Sequence, residues 1–127
     1  MSRYRTPLKE VLGLGSAKTG TAHFVAQRLT ATALVVLGIW FLVFVLGLLG
    51  ADYVTATAAV AKPWNAVPLV AFLIAMFWHA QLGVQVVLED YVHHSLLALF
   101  VQTTARFIAV LGAIVSVFAV ARIALGN

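Results

Sequence analysis

The sequence has no cysteine, four acidic residues and three prolines in 127 positions. Without a thiol the chain forms no disulfide, holds no iron–sulfur cluster through its own side chains and performs no thiolate chemistry. With 9% charged residues it also lacks the polar surface that a soluble domain of this length must present to water. What is present is apolar: 63% of the residues are hydrophobic, and the mean hydropathy is +1.04. That composition predicts an all-α integral membrane protein, a single membrane domain over residues 1–127. The net charge is +4, but the basic residues concentrate in the first 28 positions instead of forming a basic, aromatic face, so nucleic acid is not an expected partner.

Residues 1–27 are polar and interrupted by Pro7, Gly13, Gly15 and Gly20, which predicts an arm or short interfacial helix at the membrane surface. The arm lacks the compact charged-then-apolar pattern of a signal peptide and is expected to remain in the mature protein. Gly13-Leu14-Gly15 and Gly20 do not make a phosphate loop, since no strand precedes them and no Gly-Lys-Ser or Gly-Lys-Thr follows. Ser16 to Gly20 reads as a turn, with Thr21 as the cap of the first helix. Three apolar spans follow, at about 29–49, 66–88 and 103–125, each long enough at about 1.5 Å per residue to cross a core of about 30 Å. Between the first two, Val54 to Ala61 is alanine-rich and predicted partly helical, and Lys62-Pro63-Trp64-Asn65 marks the restart. Pro68 is expected in the first turn of the second span, and Arg106 and Arg122 at the mouth and exit of the third.

The informative stretch is Phe77 to Tyr91, which starts as membrane-grade sequence with a histidine in it and ends in Glu89-Asp90-Tyr91. Ionisable groups inside a span mark functional sites by default. Asp90 follows His79 by eleven positions, about 1100° at roughly 100° per residue, so the two share one helix face about 16 Å apart. Gly83 lies on nearly the same line and removes bulk where something flat can approach. His79 suits axial ligation of a haem iron, or an interhelical hydrogen bond. Asp90 and Tyr91 suit a quinone carbonyl and proton transfer, or simply mark the membrane boundary. Arg28 suits a haem propionate, or is the innermost charge of the basic arm. His93 and His94 beside Glu89 and Asp90 could make a metal site, but a solvated polar turn is the better reading. A small proton channel or transporter would use His79 and Asp90 as a relay, and a purely structural anchor would need neither.

Gly20 to Ala31, with His23-Phe24 and Gln27-Arg28-Leu29-Thr30-Ala31, together with His79-Ala80 through Gly83 to Glu89-Asp90-Tyr91-Val92, resembles the small hydrophobic membrane anchor subunit of succinate dehydrogenase, respiratory complex II. The likeness covers nearly the whole chain, and its more specific part is the spacing from His79 to Asp90-Tyr91. It implies a bacterial cytoplasmic or mitochondrial inner membrane protein. In that family His79 would give one axial ligand to the iron of a haem b shared with a second, cytochrome-type membrane subunit. It further implies that Arg28 approaches a propionate, with His23 as a possible second partner, and that Tyr91, less securely Asp90, contacts ubiquinone. The flavoprotein and iron–sulfur subunits would carry succinate oxidation, leaving this chain as their tether. Fumarate-reducing relatives are the nearest alternative.

Arg3, Arg5, Lys9, Lys18 and Arg28 belong to the N-terminal side, against Lys62 in the first loop and Arg122 at the C-terminus. The positive-inside rule therefore predicts an inner N-terminus, an inner Glu89-Asp90-Tyr91 and an outer C-terminus. A cysteine substituted at Ser2 is expected to resist a membrane-impermeant thiol reagent in intact cells; labelling there reverses the topology.

Overall fold

A computed structural model describes residues 18–126, with side chains from Gly20 onward; the arm expected over 1–27 lies outside the described residues as far as position 17, including Arg3, Arg5, Lys9 and the first glycines. The described chain is helical: α1 is Lys18–Leu46, α2 Tyr53–Ala61, α3 Pro63–Tyr91 and α4 Ser95–Ala124. Three of these are long and apolar enough to cross a membrane, Gly20–Gly47, Pro63–Tyr91 and Ser95–Ala124. At about 1.5 Å per residue each exceeds a hydrocarbon core of about 30 Å, so both ends reach into the headgroup layers.

The helix boundaries depart from the sequence reading in ways that have local causes. α1 already includes Lys18 to Gly20, so the described part of the expected turn is helical and Thr21 lies inside the helix instead of capping it; Ser16 and Ala17 lie outside the described residues. It ends at Leu46, where the ladder tightens into three-residue turns, Leu48 N donating to Val45 O at 3.0 Å and Leu49 N to Leu46 O at 3.2 Å, and Gly50 closes that turn with φ 81°, a left-handed conformation open to glycine. Asp52 then caps α2, its carboxylate accepting the Thr55 amide at 3.0 Å. The Thr55 side chain and then its backbone N–H hold that carboxyl below the usual carboxylate range.

Pro63 sits in the first turn of α3, where its missing N–H leaves no bond unmade, and Asn65 Nδ2 donates to Ala59 O at 2.9 Å, pinning α2 to the start of α3. Pro68 therefore falls inside the helix, one turn deeper than expected, and withholds a donor from the Trp64 carbonyl. At the other end of α3, His94 caps α4 by accepting the Leu97 amide at 3.4 Å. α4 consequently starts at Ser95, and Arg106 stands about 16 Å along it instead of at its mouth.

The three long helices form a row with α3 in the middle, packed against α1 on one side and α4 on the other, while α2 folds across α3 and α4. The backbones of α1 and α4 do not come close to each other. Such a row encloses little: the buried hydrophobic residues are Ala66, Leu69, Ala75, Leu82 and Val120. Ala66, Leu69 and Val120 form a cluster with Trp40, Phe41, Val60, Leu73 and Ala124 around it, near the α2 end of the row. Phe41 of α1 stacks on Phe72 of α3 with ring centroids 4.6 Å apart, and Trp40 stacks on Phe44 at 5.3 Å. Such offset pairs contribute about 0.5–1.5 kcal/mol beyond the area they bury.

The α3–α4 contact depends on a glycine. A Cβ at Gly112 would fall 2.6 Å from Phe77 Cε1 and 2.9 Å from Cζ. Any side chain there must push the ring aside, and overpacking typically costs about 1–3 kcal/mol. Gly112→Val is expected to destabilise the purified protein by that order and Gly112→Ala by less, read as lowered unfolding temperatures in detergent. Wild-type midpoints for both would show that Phe77 swings away freely.

Candidate functional site

Polar side chains are scarce between these helices, and the face where α1 meets α3 collects several of them. Thr30, at 6% exposure, is the buried polar residue of the described chain. Its hydroxyl reaches back to Ala26 O at 2.9 Å and Gln27 O at 3.1 Å, the habitual route by which a helical threonine satisfies its proton. The same oxygen lies 3.0 Å from His79 Nδ1 on α3. His79 is half-buried, and the one ring nitrogen bonded within the described chain is Nδ1.

His79 also lines an open recess of about 360 Å³ with Phe24, Gln27, Arg28 and Ala31. The Arg28 guanidinium carbon lies 5.0 Å from the centre of the Phe24 ring, a cation–π contact that holds the charge near the recess while leaving its five donors available. The structure thus brings together His79 and Arg28, 51 positions apart in sequence, on one concave surface. A half-buried imidazole with one nitrogen held and a guanidinium beside it form a donor set suited to a metal-centred, anionic cofactor.

α1 and α3 run antiparallel, so moving two turns back from Thr30 on α1 corresponds to moving two turns forward from His79 on α3. That places His23 opposite Gln85 and Glu89, and with Gly20 they line a cleft of about 240 Å³. Gln85 Nε2 donates to Glu89 Oε1 at 2.9 Å. His23 Nε2 is buried and has no hydrogen-bond partner among the described residues. An orphaned ring nitrogen of this kind calls for a partner the described chain does not contribute.

Gly83 behaves differently from Gly112. A Cβ there would meet nothing within 4 Å, so no neighbour in the described chain requires this glycine. Tyr91, 78% exposed, and Asp90, also exposed, stand at the last turn of α3 and are not brought to His79 by the fold. His93 and His94 are exposed, and among the described residues no group of three or more His, Asp or Glu could hold a metal ion; His94 serves as a helix cap instead.

Thr30 is the site residue that reading the sequence for chemistry passes over. A threonine in an apolar helix ordinarily bonds its own backbone, as Thr32 does to Arg28 O at 2.9 Å while remaining exposed. Nothing local distinguishes the two. Only the register of α1 on α3 turns Thr30 toward the imidazole.

The fold and this face define a multi-pass helical membrane protein with an imidazole and a guanidinium lining one recess between two of its spans. The succinate dehydrogenase/fumarate reductase transmembrane subunit family matches residues 2–121, and the chain belongs to that family. It is 37% identical over 89 residues to the succinate dehydrogenase hydrophobic membrane anchor subunit of Rickettsia bellii, covering 70% of this chain and 71% of that one. The protein of the same name from Paracoccus denitrificans is 35% identical over 89 residues, 70% of this chain and 69% of the relative. The one from Rickettsia conorii is 32% identical over 95 residues, 73% and 75%. No solved structure matches the chain significantly. Family and relatives together support a succinate dehydrogenase membrane anchor subunit.

Proposed function

We propose that this chain anchors the flavoprotein and iron–sulfur subunits of a succinate:quinone oxidoreductase to the membrane, gives one axial ligand to a haem b and completes part of a ubiquinone-reduction site. The observation that carries the reading is the shared recess of His79 and Arg28, on a helix row that buries few of its own side chains. His79 would be the iron ligand, and Arg28 would pair with a propionate, the planar bidentate partner a guanidinium fits. The orphaned Nε2 of His23 makes it the second candidate for a propionate or for a group of a neighbouring subunit. Gly83, which faces no neighbour in the described chain, would keep the α3 surface flat against the porphyrin. Bound there, haem b supplies a one-electron carrier near the quinone.

Only one histidine is well embedded in the spans, so a second axial ligand would come from a second membrane subunit, which would also cover the exposed apolar faces of α1 and α3. The positive-inside count puts the N-terminus and the α3 end on the cytoplasmic or matrix side of the bacterial or mitochondrial inner membrane. There Tyr91 and Asp90 would meet both a quinone head and water. The Tyr91 phenol donates a hydrogen bond to a quinone carbonyl, and the Asp90 carboxylate orients neighbouring donors or passes protons in from solvent.

His79→Leu removes the nitrogen and is expected to abolish or alter the low-spin haem spectrum of the purified complex, whereas Arg28→Ala weakens haem retention less. A full complement of unchanged low-spin haem in the leucine variant would falsify the ligand assignment. Tyr91→Phe deletes one hydrogen bond of about 0.5–1.5 kcal/mol, more where a buried partner is left bare. The expected result is a fall of about tenfold in quinone reduction efficiency, with haem content and succinate oxidation by an artificial acceptor retained. Wild-type quinone kinetics and inhibitor affinity in that variant would reduce Tyr91 to an interfacial anchor.

A further inference from the structure

We propose that Thr30 is the positioning residue of His79: its hydroxyl oxygen accepts the Nδ1 proton, fixes the tautomer with Nε2 bare and strengthens Nε2 as a ligand. The inference rests on the haem reading above and deepens it. A hydroxyl has one proton to give and two lone pairs to accept with. The Thr30 oxygen has three polar neighbours within 3.1 Å, two helix carbonyls and His79 Nδ1. Carbonyls only accept, so the proton on Thr30 serves one or both of them, and the contact to His79 is made at the same time only if Nδ1 is the donor. Turning the hydroxyl toward a bare Nδ1 would move the ring proton to Nε2 and give up both carbonyl contacts. A protonated Nε2 has no lone pair for a metal.

The surroundings make this choice firm. Thr30 is 94% buried between apolar helices, where an unpaired donor has no water to turn to and a bare Nδ1–H is costly. No other acceptor reaches Nδ1 among the described residues. The chain of helix carbonyl, hydroxyl and imidazole N–H is also polarised in one direction, each bond strengthening the next. Electron density drawn onto the ring makes Nε2 a better donor, the usual consequence of a hydrogen-bonded outer nitrogen on a metal-bound histidine. Because a better donor favours the more highly charged iron, Thr30 lowers the reduction potential of the haem as well as holding the ring in orientation.

The test uses the assembled complex. Thr30→Val keeps the β-branched shape and removes the acceptor; Thr30→Ser keeps the acceptor and removes a methyl. The valine variant is expected to lose haem about 10- to 100-fold more readily and to shift its midpoint potential upward, about 59 mV for each tenfold preferential loss of ferric affinity. Its ferric low-spin g values should move as well. The serine variant should stay close to wild type on all three readouts, which a role in packing alone would not produce. Should the valine complex fail to assemble, Thr30→Ala leaves space in place of a methyl and is expected to move potential and g values in the same direction. A valine or alanine complex with wild-type potential, g values and haem retention overturns the proposal, and so does a serine variant as perturbed as valine. These results are separable from failure of the haem reading itself, which His79→Leu tests independently: unchanged low-spin haem there removes His79 as the ligand whatever Thr30 does.

Discussion

Hydrocarbon offers no hydrogen bonds, so every polar atom between these helices must find its partner within protein or leave the helix face it stands on. That constraint explains why α1 and α3 meet as they do. The contact of Thr30 with His79 at 3.0 Å joins side chains of two spans, and it ties both rotation and register of one helix to the other. Sliding α3 by one residue would carry the imidazole about 100° around the helix axis and away from the threonine. The other polar features at this end of the row follow from that register. Arg28, two residues before Thr30, comes to the recess beside His79, and His23, seven residues or about two turns before Thr30, comes opposite Gln85 and Glu89.

At the opposite end the same helices are held by a different interaction. The Phe41–Phe72 stack and the cluster around Ala66, Leu69 and Val120 are apolar, and in a bilayer they compete against lipid tails of equal apolarity, so they act through close packing and not through exclusion of water. The row therefore has an aromatic clamp near α2 and a polar contact toward the basic side, with α3 common to both. Long stretches of α1 and α4 remain bare, Val35, Val36, Ile39 and Val43 on one and Ile108, Ile114, Val115 and Phe118 on the other. Three spans in a row bury too little to specify a unique arrangement alone, which is why the polar contact matters for specificity out of proportion to its energy.

What the sequence makes legible is what depends on local pattern. Three spans, an embedded His79, and Asp90-Tyr91 at a helix end all follow from hydropathy and spacing within single helices, and the family likeness rests on those same short stretches. What it conceals depends on capping and on register. His94 reads as a loop residue until its ring is seen accepting the Leu97 amide, and that one cap moves the start of α4 upstream and takes Arg106 from the mouth of the helix to about 16 Å along it. Pro68 looks like a first-turn proline because Pro63 and Trp64 look like a boundary, yet the helix includes both. Thr30 and Thr32 are indistinguishable by type and neighbourhood, and only packing against α3 separates the buried one from the exposed one.

Gly112 connects the two halves of this account. It lies on α4, whose backbone does not approach that of α1, yet the ring it accommodates is Phe77, two residues before His79 on the central helix. Phe77 and His79 point about 200° apart around α3, so the ring that keys α3 into α4 and the imidazole that keys α3 into α1 lie on nearly opposite faces. A displacement of Phe77 would rotate or translate α3 as a rigid element, and the Thr30–His79 distance would register it directly. The geometry of the imidazole is thus set from both sides, by a hydroxyl on α1 that fixes its proton and by a missing side chain on α4 that fixes the helix carrying it.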